Sequence, residues 1–369
     1  MGGQNPALES LVISSSFWPG KRVLVTGHTG FKGGWLALWL QRLGAQVMGY
    51  SLPAPTQPSL YETARISESV QGVIADVRDV ARLKAAFQEF SPEIVFHLAA
   101  QSLVRASYDE PVETYSTNLL GTVHVLEAVR LTKSVRSAVI VTTDKCYENH
   151  ESDAGYRETD RLGGHDPYSN SKACAELATD SYRRAFLSGN GTAAIASARA
   201  GNVIGGGDWA RDRLIPDLVR AAVSGRQLVL RNPKSTRPWQ HVLEPLSGYL
   251  MLAQRLWDDR ARYAEAWNFG PRDSDARTVE DVVTLAARGW GGGLKWAVDT
   301  GPQPHETRML KLDCSKAASV GWHPLLGAEQ TVEWTMEWYR AWHEKRDVKA
   351  LSFDQIERYE HHAAGRPAA

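Results

Sequence analysis

The 369-residue chain predicts an α/β fold, a doubly wound parallel sheet followed by a smaller C-terminal α/β part. Three observations lead there. Strand-like and helix-like stretches alternate as far as Ala200, the pattern of a parallel sheet covered on both faces. A glycine turn, Gly27-His-Thr-Gly30-Phe-Lys-Gly33, stands where the first strand meets the first helix. After Ala200, Gly205-Gly206-Gly207 and the Pro-rich stretch from Arg231 to Pro238 change the rhythm.

The elements follow in order. Lys21 to Thr26 is a short run with β-branched residues that enters the glycine turn, so it reads as a strand. Phe31 to Leu43 has helical periodicity. Ala45 to Tyr50, Gly72 to Ala75 and Glu93 to Leu98 read as the next three strands, with helices over Asp79 to Phe90 and Val112 to Arg130. Arg136 to Thr142 and Ala193 to Ala198 supply two more strands, and a helix over Asp166 to Leu187 lies between them. Beyond the breaks, helices are expected at Ile215 to Ser224 and Leu246 to Trp257. The expected division is an N-terminal extension over 1–17, a dinucleotide-binding domain over 18–200 and a substrate-binding domain over 201–345, some segments of which return to the first. A tail over 346–369 follows.

Composition narrows the function. Hydrophobic residues at 43% and charged residues at 23% match an ordinary globular protein, not a disordered or membrane-spanning one. Lys plus Arg and Asp plus Glu are 42 each, so no global field favours nucleic acid or an anionic membrane. Any anionic ligand must be held by local groups. Cys146, Cys174 and Cys314 are too few for a disulfide framework and have no zinc-ligand spacing, and the histidines form no metal cluster, so no metal is expected. The segment to Phe17 has no basic stretch leading into an apolar run, and the cytoplasm is the expected compartment.

The glycine turn has a physical use. Backbone amides and the positive end of the following helix can hold a pyrophosphate, which side chains would obstruct. Gly27, Thr29, Gly30, Phe31, Lys32 and Gly33 are therefore candidate cofactor contacts. Asp76 and Val77, after the third strand, would meet the adenine end. Leu98, Ala99, Ala100 and Gln101 offer mostly small residues where a ribose and pyrophosphate pass. The second strand ends in Ser51, not in an acid for a ribose 2′-hydroxyl, and no base stands beside it for a 2′-phosphate. Spacing leaves NAD and NADP open.

Two strings carry reactive side chains. Tyr168 and Lys172 are four apart, hence stacked on one helix face, where the ammonium can lower the phenol pKa for acid/base work. Thr143, Asp144 and Lys145 follow the fifth strand at its carboxyl end, which borders the ligand crevice in such sheets. Arg231, Arg237 and Arg308 are candidates for a second phosphate site with Arg105, and Trp239 for stacking on a base or covering a sugar.

These strings resemble the extended short-chain dehydrogenase/reductase family, in particular its nucleotide-sugar 4,6-dehydratases, over roughly Phe17 to Tyr339. The resemblance rests on the glycine turn and on Thr143-Asp-Lys-Cys-Tyr-Glu-Asn149, Gly201-Asn-Val-Ile-Gly-Gly-Gly-Asp-Trp209, Arg237-Pro-Trp-Gln-His-Val-Leu-Glu-Pro245 and Lys311-Leu-Asp-Cys-Ser-Lys316. At position 145 the TDP-glucose branch carries Glu, and the branch similar to this chain, acting on CDP-glucose, carries Lys. The resemblance implies a Rossmann domain holding NAD, with CDP-glucose as substrate and a homodimer or homotetramer built on the helices at 112–130 and 166–187. It implies Tyr168 as the base for the 4-hydroxyl, with Thr143 holding the oxygen and Lys172 tuning the phenol. Asp144 would protonate the departing 6-hydroxyl, and Asn202 and Arg237 would touch substrate. Lys145 has two open roles: a neutral base for the carbon-5 proton, against an ordinary Lys pKa of about 10.4, or a charged group steadying the enolate. A nucleotide-sugar epimerase needs the Tyr and Lys without the paired acid and amine. A non-catalytic cofactor sensor would need neither pair.

Overall fold

The computed structural model describes residues 14, 16–152, 154–189, 191–292, 294–299 and 310–364. Seven strands form one sheet: β1 (Arg22–Thr26), β2 (Gln46–Ser51), β3 (Gln71–Ile74), β4 (Ile94–His97), β5 (Ser137–Val141), β6 (Ala194–Arg199) and β7 (Ala266–Asn268). Their spatial order is β7-β6-β5-β4-β1-β2-β3, and every pair is parallel. The order reverses between β1 and β4, and a crevice opens at their carboxyl ends, as in a doubly wound Rossmann sheet.

Alternation along the strands fills both faces. Val23, Val25, Ile94, Phe96, Val139 and Val141 point into one core, and Leu24, Val95, Ala138 and Ile140 into the other. A sheet buried on both sides needs such continuous apolar runs. The chief helices are α1 (Phe31–Arg42), α2 (Val80–Phe90), α3 (Gly121–Leu131), α4 (Pro167–Ala185), α5 (Leu214–Ser224), α6 (Leu243–Asp258), α7 (Val279–Trp290), α8 (Ala328–His343) and α9 (Val348–Ala364).

Three features add detail that the sequence expectations lacked. First, the stretch 112–130 is not one α-helix. A short helix at Pro111–Tyr115 runs through a π-turn at Ser116–Leu120 into α3. The extra residue in that turn brings Asn118 inward, where it accepts from Gln101 N at 2.9 Å and donates to Ser171 Oγ at 2.9 Å. Second, the chain crosses back after residue 201: α6 packs on β5 and β6, and β7 extends the sheet beside β6. What remains apart is built of short strand pairs, such as Leu228–Leu230 with Trp296–Val298. Third, α9 occupies much of the expected tail. Tyr359 packs edge-on against Trp39 of α1, and Trp39 Nε1 donates to Glu360 Oε1 at 2.9 Å.

Tyr359 also donates to Glu244, a fully buried carboxyl near the start of α6 that accepts from Leu325 N and Leu326 N as well. Burial pushes this carboxyl up from 4.5 to about 7, against the opposing pull of those hydrogen bonds. A raised folded pKa gives stability that is fully present below 4.5 and lost as pH rises through about 7. The loss is on the order of 3 kcal/mol at most, from ~1.4 kcal/mol per pKa unit. Glu244→Gln should flatten the fall in melting temperature between mildly acidic and neutral pH; an unchanged pH profile in the variant would show that Glu244 is not its source.

No helix among the described residues is long and apolar enough to cross a membrane.

Candidate active site

The loops after β1, β4, β5 and β6 meet above the reversal point. Gly27 has φ +79°, and a Cβ there would lie 2.7 Å from Ala99 N; one on Gly33 would lie 2.1 Å from Gly27 O. The turn and the start of α1 thus pack too closely for a side chain at Gly27 or Gly33, and the positive end of α1 borders the crevice. A cleft of about 490 Å³ runs along this edge. Every residue expected at the cofactor lines it, from Gly27 and the 29–33 turn through Asp76, Val77 and the 98–101 loop to Tyr168 and Lys172.

At the adenine end, Arg78 clamps Asp76 through its side chain and backbone N–H and reaches on to Glu113. Ser51 bonds Thr29 at 2.8 Å, closing the turn over the tip of β2. Thr26 Oγ1 accepts from Leu98 N and Ala99 N at 3.2 Å each and pairs with His97, fixing the path of the 98–101 loop. The clash-free glycine cradle and the continuous cleft fit a dinucleotide.

At the other end, Thr143 caps a single 3₁₀ turn, Asp144–Cys146. Its hydroxyl accepts from Lys145 N at 3.3 Å and donates to Asp144 Oδ1 at 2.9 Å. Asp144 is 1% exposed; Lys145 Nζ lies 3.5 Å from it, and Asn202 Nδ2 donates at 3.4 Å from the β6 loop. Asn202 adopts φ +50°, and a Cβ on the preceding Gly201 would fall 1.9 Å from Asp144 Oδ2, so that loop has to be glycine to admit the carboxylate.

Tyr168 stands in the first turn of α4, whose N-cap Asp166 accepts from Ser169 N at 2.9 Å. Burial raises the phenol to about 12; the Thr143 hydrogen bond and the Arg213 guanidinium draw it down, and the Asp144 charge pushes it up. Lys172 is likewise buried, which lowers it to about 8, with Glu176 opposing, and its ammonium donates to Val141 O at 3.3 Å. Among the cations near the phenol, Arg213 draws it down from the loop before α5. Lys32 points toward the same end, its amine lowered to about 8 by burial and then by Arg213.

Arg213 was missed by sequence reasoning. It precedes α5, pairs with Asp208 at 2.8 Å and donates to Ser102 Oγ at 3.1 Å, which ties the 205–213 loop to the loop after β4. The signal available was Gly-Gly-Gly-Asp-Trp followed by Arg-Asp-Arg at a helix start. Also missed was a buried pair behind the 3₁₀ turn, Arg199 and Glu176 at 2.8 Å, joined to Thr142, Ser197 and Tyr147. Burial costs such a pair, and the crowd of hydrogen bonds offsets it.

The remaining cations are only partly gathered. Arg231 and Arg105 both reach Asp212 Oδ1, at 2.9 and 3.5 Å. Arg237 bonds Thr236 O from a small strand pair, and Trp239 is buried, donating to Arg277 O. Arg308 lies outside the described residues. Among the described residues no group of His, Cys, Asp and Glu could hold a metal.

A dinucleotide-binding sheet with a buried Tyr and Lys, and an acid and amine on the adjoining turn, defines a nicotinamide-dependent enzyme that carries elimination chemistry beside its redox centre. The chain belongs to the GDP-mannose 4,6 dehydratase family, whose model matches residues 24–335. It is 52% identical to the CDP-glucose 4,6-dehydratase of Salmonella typhimurium, over 94% of this chain and 98% of that one. A dTDP-glucose 4,6-dehydratase of Xanthomonas campestris is 29% identical, over 84% of this chain and 92% of the relative. Among solved structures, a UDP-glucose 4-epimerase of Thermus thermophilus in complex with NAD matches with a TM-score of 0.74 and 25% identity, over 86% of this chain and 99% of that one.

Proposed function

We propose that the protein converts CDP-glucose to CDP-4-keto-6-deoxyglucose and water. The observation that carries this reading is the Thr143-Asp144-Lys145 turn beside Tyr168, on a chain half identical to a CDP-glucose 4,6-dehydratase. The glycine turn and the 98–101 loop would hold NAD, which would supply the hydride acceptor for carbon 4 and the hydride donor for carbon 6.

The chain's own groups do the rest. Tyr168 removes the 4-hydroxyl proton, with Thr143 beside the oxygen and Lys172 at the cofactor. The 4-ketone makes the carbon-5 proton acidic, so loss of that proton and of the 6-hydroxyl becomes feasible only after oxidation. Asp144 protonates the 6-hydroxyl, and Lys145, at its side, serves carbon 5. Asn202 holds Asp144 and reaches substrate. Arg231, Arg237, Arg105 and Arg308 supply positive charge for the diphosphate, and Trp239 backs the base-binding region. The Asp144 and Lys145 pair favours elimination over epimerisation, which has no use for either group.

The protein works in the cytoplasm as a dimer-based homo-oligomer. Supporting this, exposed apolar residues such as Val112, Leu120 and Leu177 stand on the helices at 111–131 and 167–185. Light scattering at the monomer mass of 40.8 kDa would contradict it.

The base recognised is cytosine. Its exocyclic amine stands where thymine and uracil carry a carbonyl, so a site built to accept from that amine leaves its own groups unpaired against the wrong base. In competition, CDP-glucose should be favoured over TDP-glucose and UDP-glucose by at least ~10²-fold in kcat/KM. Equal specificity constants for the three would refute this assignment.

A further inference from the structure

The two halves of the reaction draw on different elements. Oxidation uses Tyr168 and Lys172, one turn apart on α4, whereas elimination uses Asp144 and Lys145 in the turn after β5. Something must set one against the other, and a buried ion pair touches both. Glu176 stands one further turn along α4 from Lys172, and Arg199 ends β6. They meet at 2.8 Å, with only 3% of each exposed.

The pair reaches both ends of the 3₁₀ turn. Ahead of it, Lys172 Nζ donates to Val141 O at 3.3 Å and Thr142 Oγ1 donates to Glu176 Oε1, so successive residues at the tip of β5 are held by successive turns of α4. Behind it, Arg199 Nη1 donates to Tyr147 Oη at 2.7 Å, and the guanidinium lies 4.9 Å from the centre of that ring. Charge fixes the direction of every bond. A carboxylate only accepts and a guanidinium only donates, so Thr142 and Ser197 give their protons to Glu176. The Tyr147 phenol, accepting from Arg199, gives its own proton to Asn268 Oδ1 at 2.7 Å. Asn268 is fixed in turn, its Nδ2 donating to Tyr156 O at 2.8 Å and Asp313 O at 3.1 Å.

We propose that Glu176 and Arg199 are positioning residues that clamp the Asp144–Cys146 turn at Thr142 and at Tyr147, holding the elimination groups in register with Tyr168 and Lys172. This rests on the dehydratase reading above. Neither residue lines the cleft, so both act through the turn. Apolar packing at this place would avoid the cost of burying two charges. It would not supply direction: four hydrogen bonds of fixed sense leave Thr142 and Tyr147 one arrangement each.

The test removes one hydroxyl at each end and keeps the ion pair, because deleting either charge would leave the other buried and unpaired. Thr142→Val keeps the shape and loses the bond to Glu176; Tyr147→Phe keeps the ring and loses the bond to Arg199. In single-turnover reactions of the NAD-loaded protein with CDP-glucose, the rise of reduced-nicotinamide absorbance reports oxidation, and its decay reports elimination with hydride return. Misplacement by about 1 Å can cost ~10² in rate, so a clamp predicts a decay slowed by ~10-fold or more in both variants, with the rise spared. The loss should fall on kcat rather than KM. Thr142→Ser keeps a hydroxyl and should restore the decay. A role confined to stability lowers both rates together, through the folded fraction, and leaves their ratio alone. An unchanged ratio in either variant would therefore overturn the clamp, as would a Thr142→Ser variant as slow as Thr142→Val. Failure of the unmodified protein to form a ketone contradicts the dehydratase reading, whereas normal conversion with unchanged ratios in the variants removes the clamp alone.

Discussion

Tyr168→Phe is expected to remove the first oxidation while leaving the fold and cofactor binding intact. The ring keeps its packing in the first turn of α4 and its place at the cleft. Only the proton acceptor goes. General-base contributions run from about 10² to 10⁴, so turnover of CDP-glucose should fall by ~10²-fold or more with unchanged NAD affinity. The starting point is unfavourable for the chain alone: burial holds the phenol at about 12, so at neutral pH it carries its proton. Bringing it into range requires positive charge, which Arg213 supplies in part and a bound nicotinamide cation would complete. Stopped-flow absorbance of the reduced nicotinamide checks the outcome, and full turnover by the Phe variant would remove Tyr168 from its assigned role.

Lys145→Ala and Asp144→Asn should fail later in the cycle. The carbon-5 proton is acidic only beside a ketone, so either change should spare oxidation and block elimination. Both variants should accumulate reduced nicotinamide with the 4-keto-glucose nucleotide, and water loss should fall by ~10²-fold or more. Solvent deuterium divides their roles. Lys145→Ala should suppress exchange at carbon 5, whereas Asp144→Asn should allow exchange without loss of water. Should Lys145→Ala exchange at the normal rate, its charge serves the enolate and another group takes the proton. After Asp144, Glu148 is the next carboxylate along the chain, although Arg161 holds it at 2.9 Å.

Much of this was legible in the sequence because the informative residues are close together in it. The glycine turn, the tip of β5 and the start of α4 each lie within a few positions, and each carries its chemistry on one strand end or one helical turn. The strands could be read from β-branched runs for the same local reason. What depended on distant partners was not legible. Arg213 acts on Tyr168 from 45 positions away, and nothing in a surface-like Arg-Asp-Arg string announces that it folds back over the cleft. The Arg199 and Glu176 pair joins β6 to α4, and α9 looks like a polar tail until Tyr359 and Glu360 meet Trp39. The π-turn that turns Asn118 inward leaves no pattern in a stretch otherwise periodic as a helix.

The most direct test of the dehydratase assignment uses CDP-glucose labelled with deuterium at carbon 4. If oxidation, elimination and hydride return occur in one site, the product is a 4-ketone lighter by one water, with the label in the carbon-6 methyl group, as seen by mass and proton NMR. Label retained at carbon 4 in an intact sugar, with inverted stereochemistry there, would contradict the account and make the protein an epimerase.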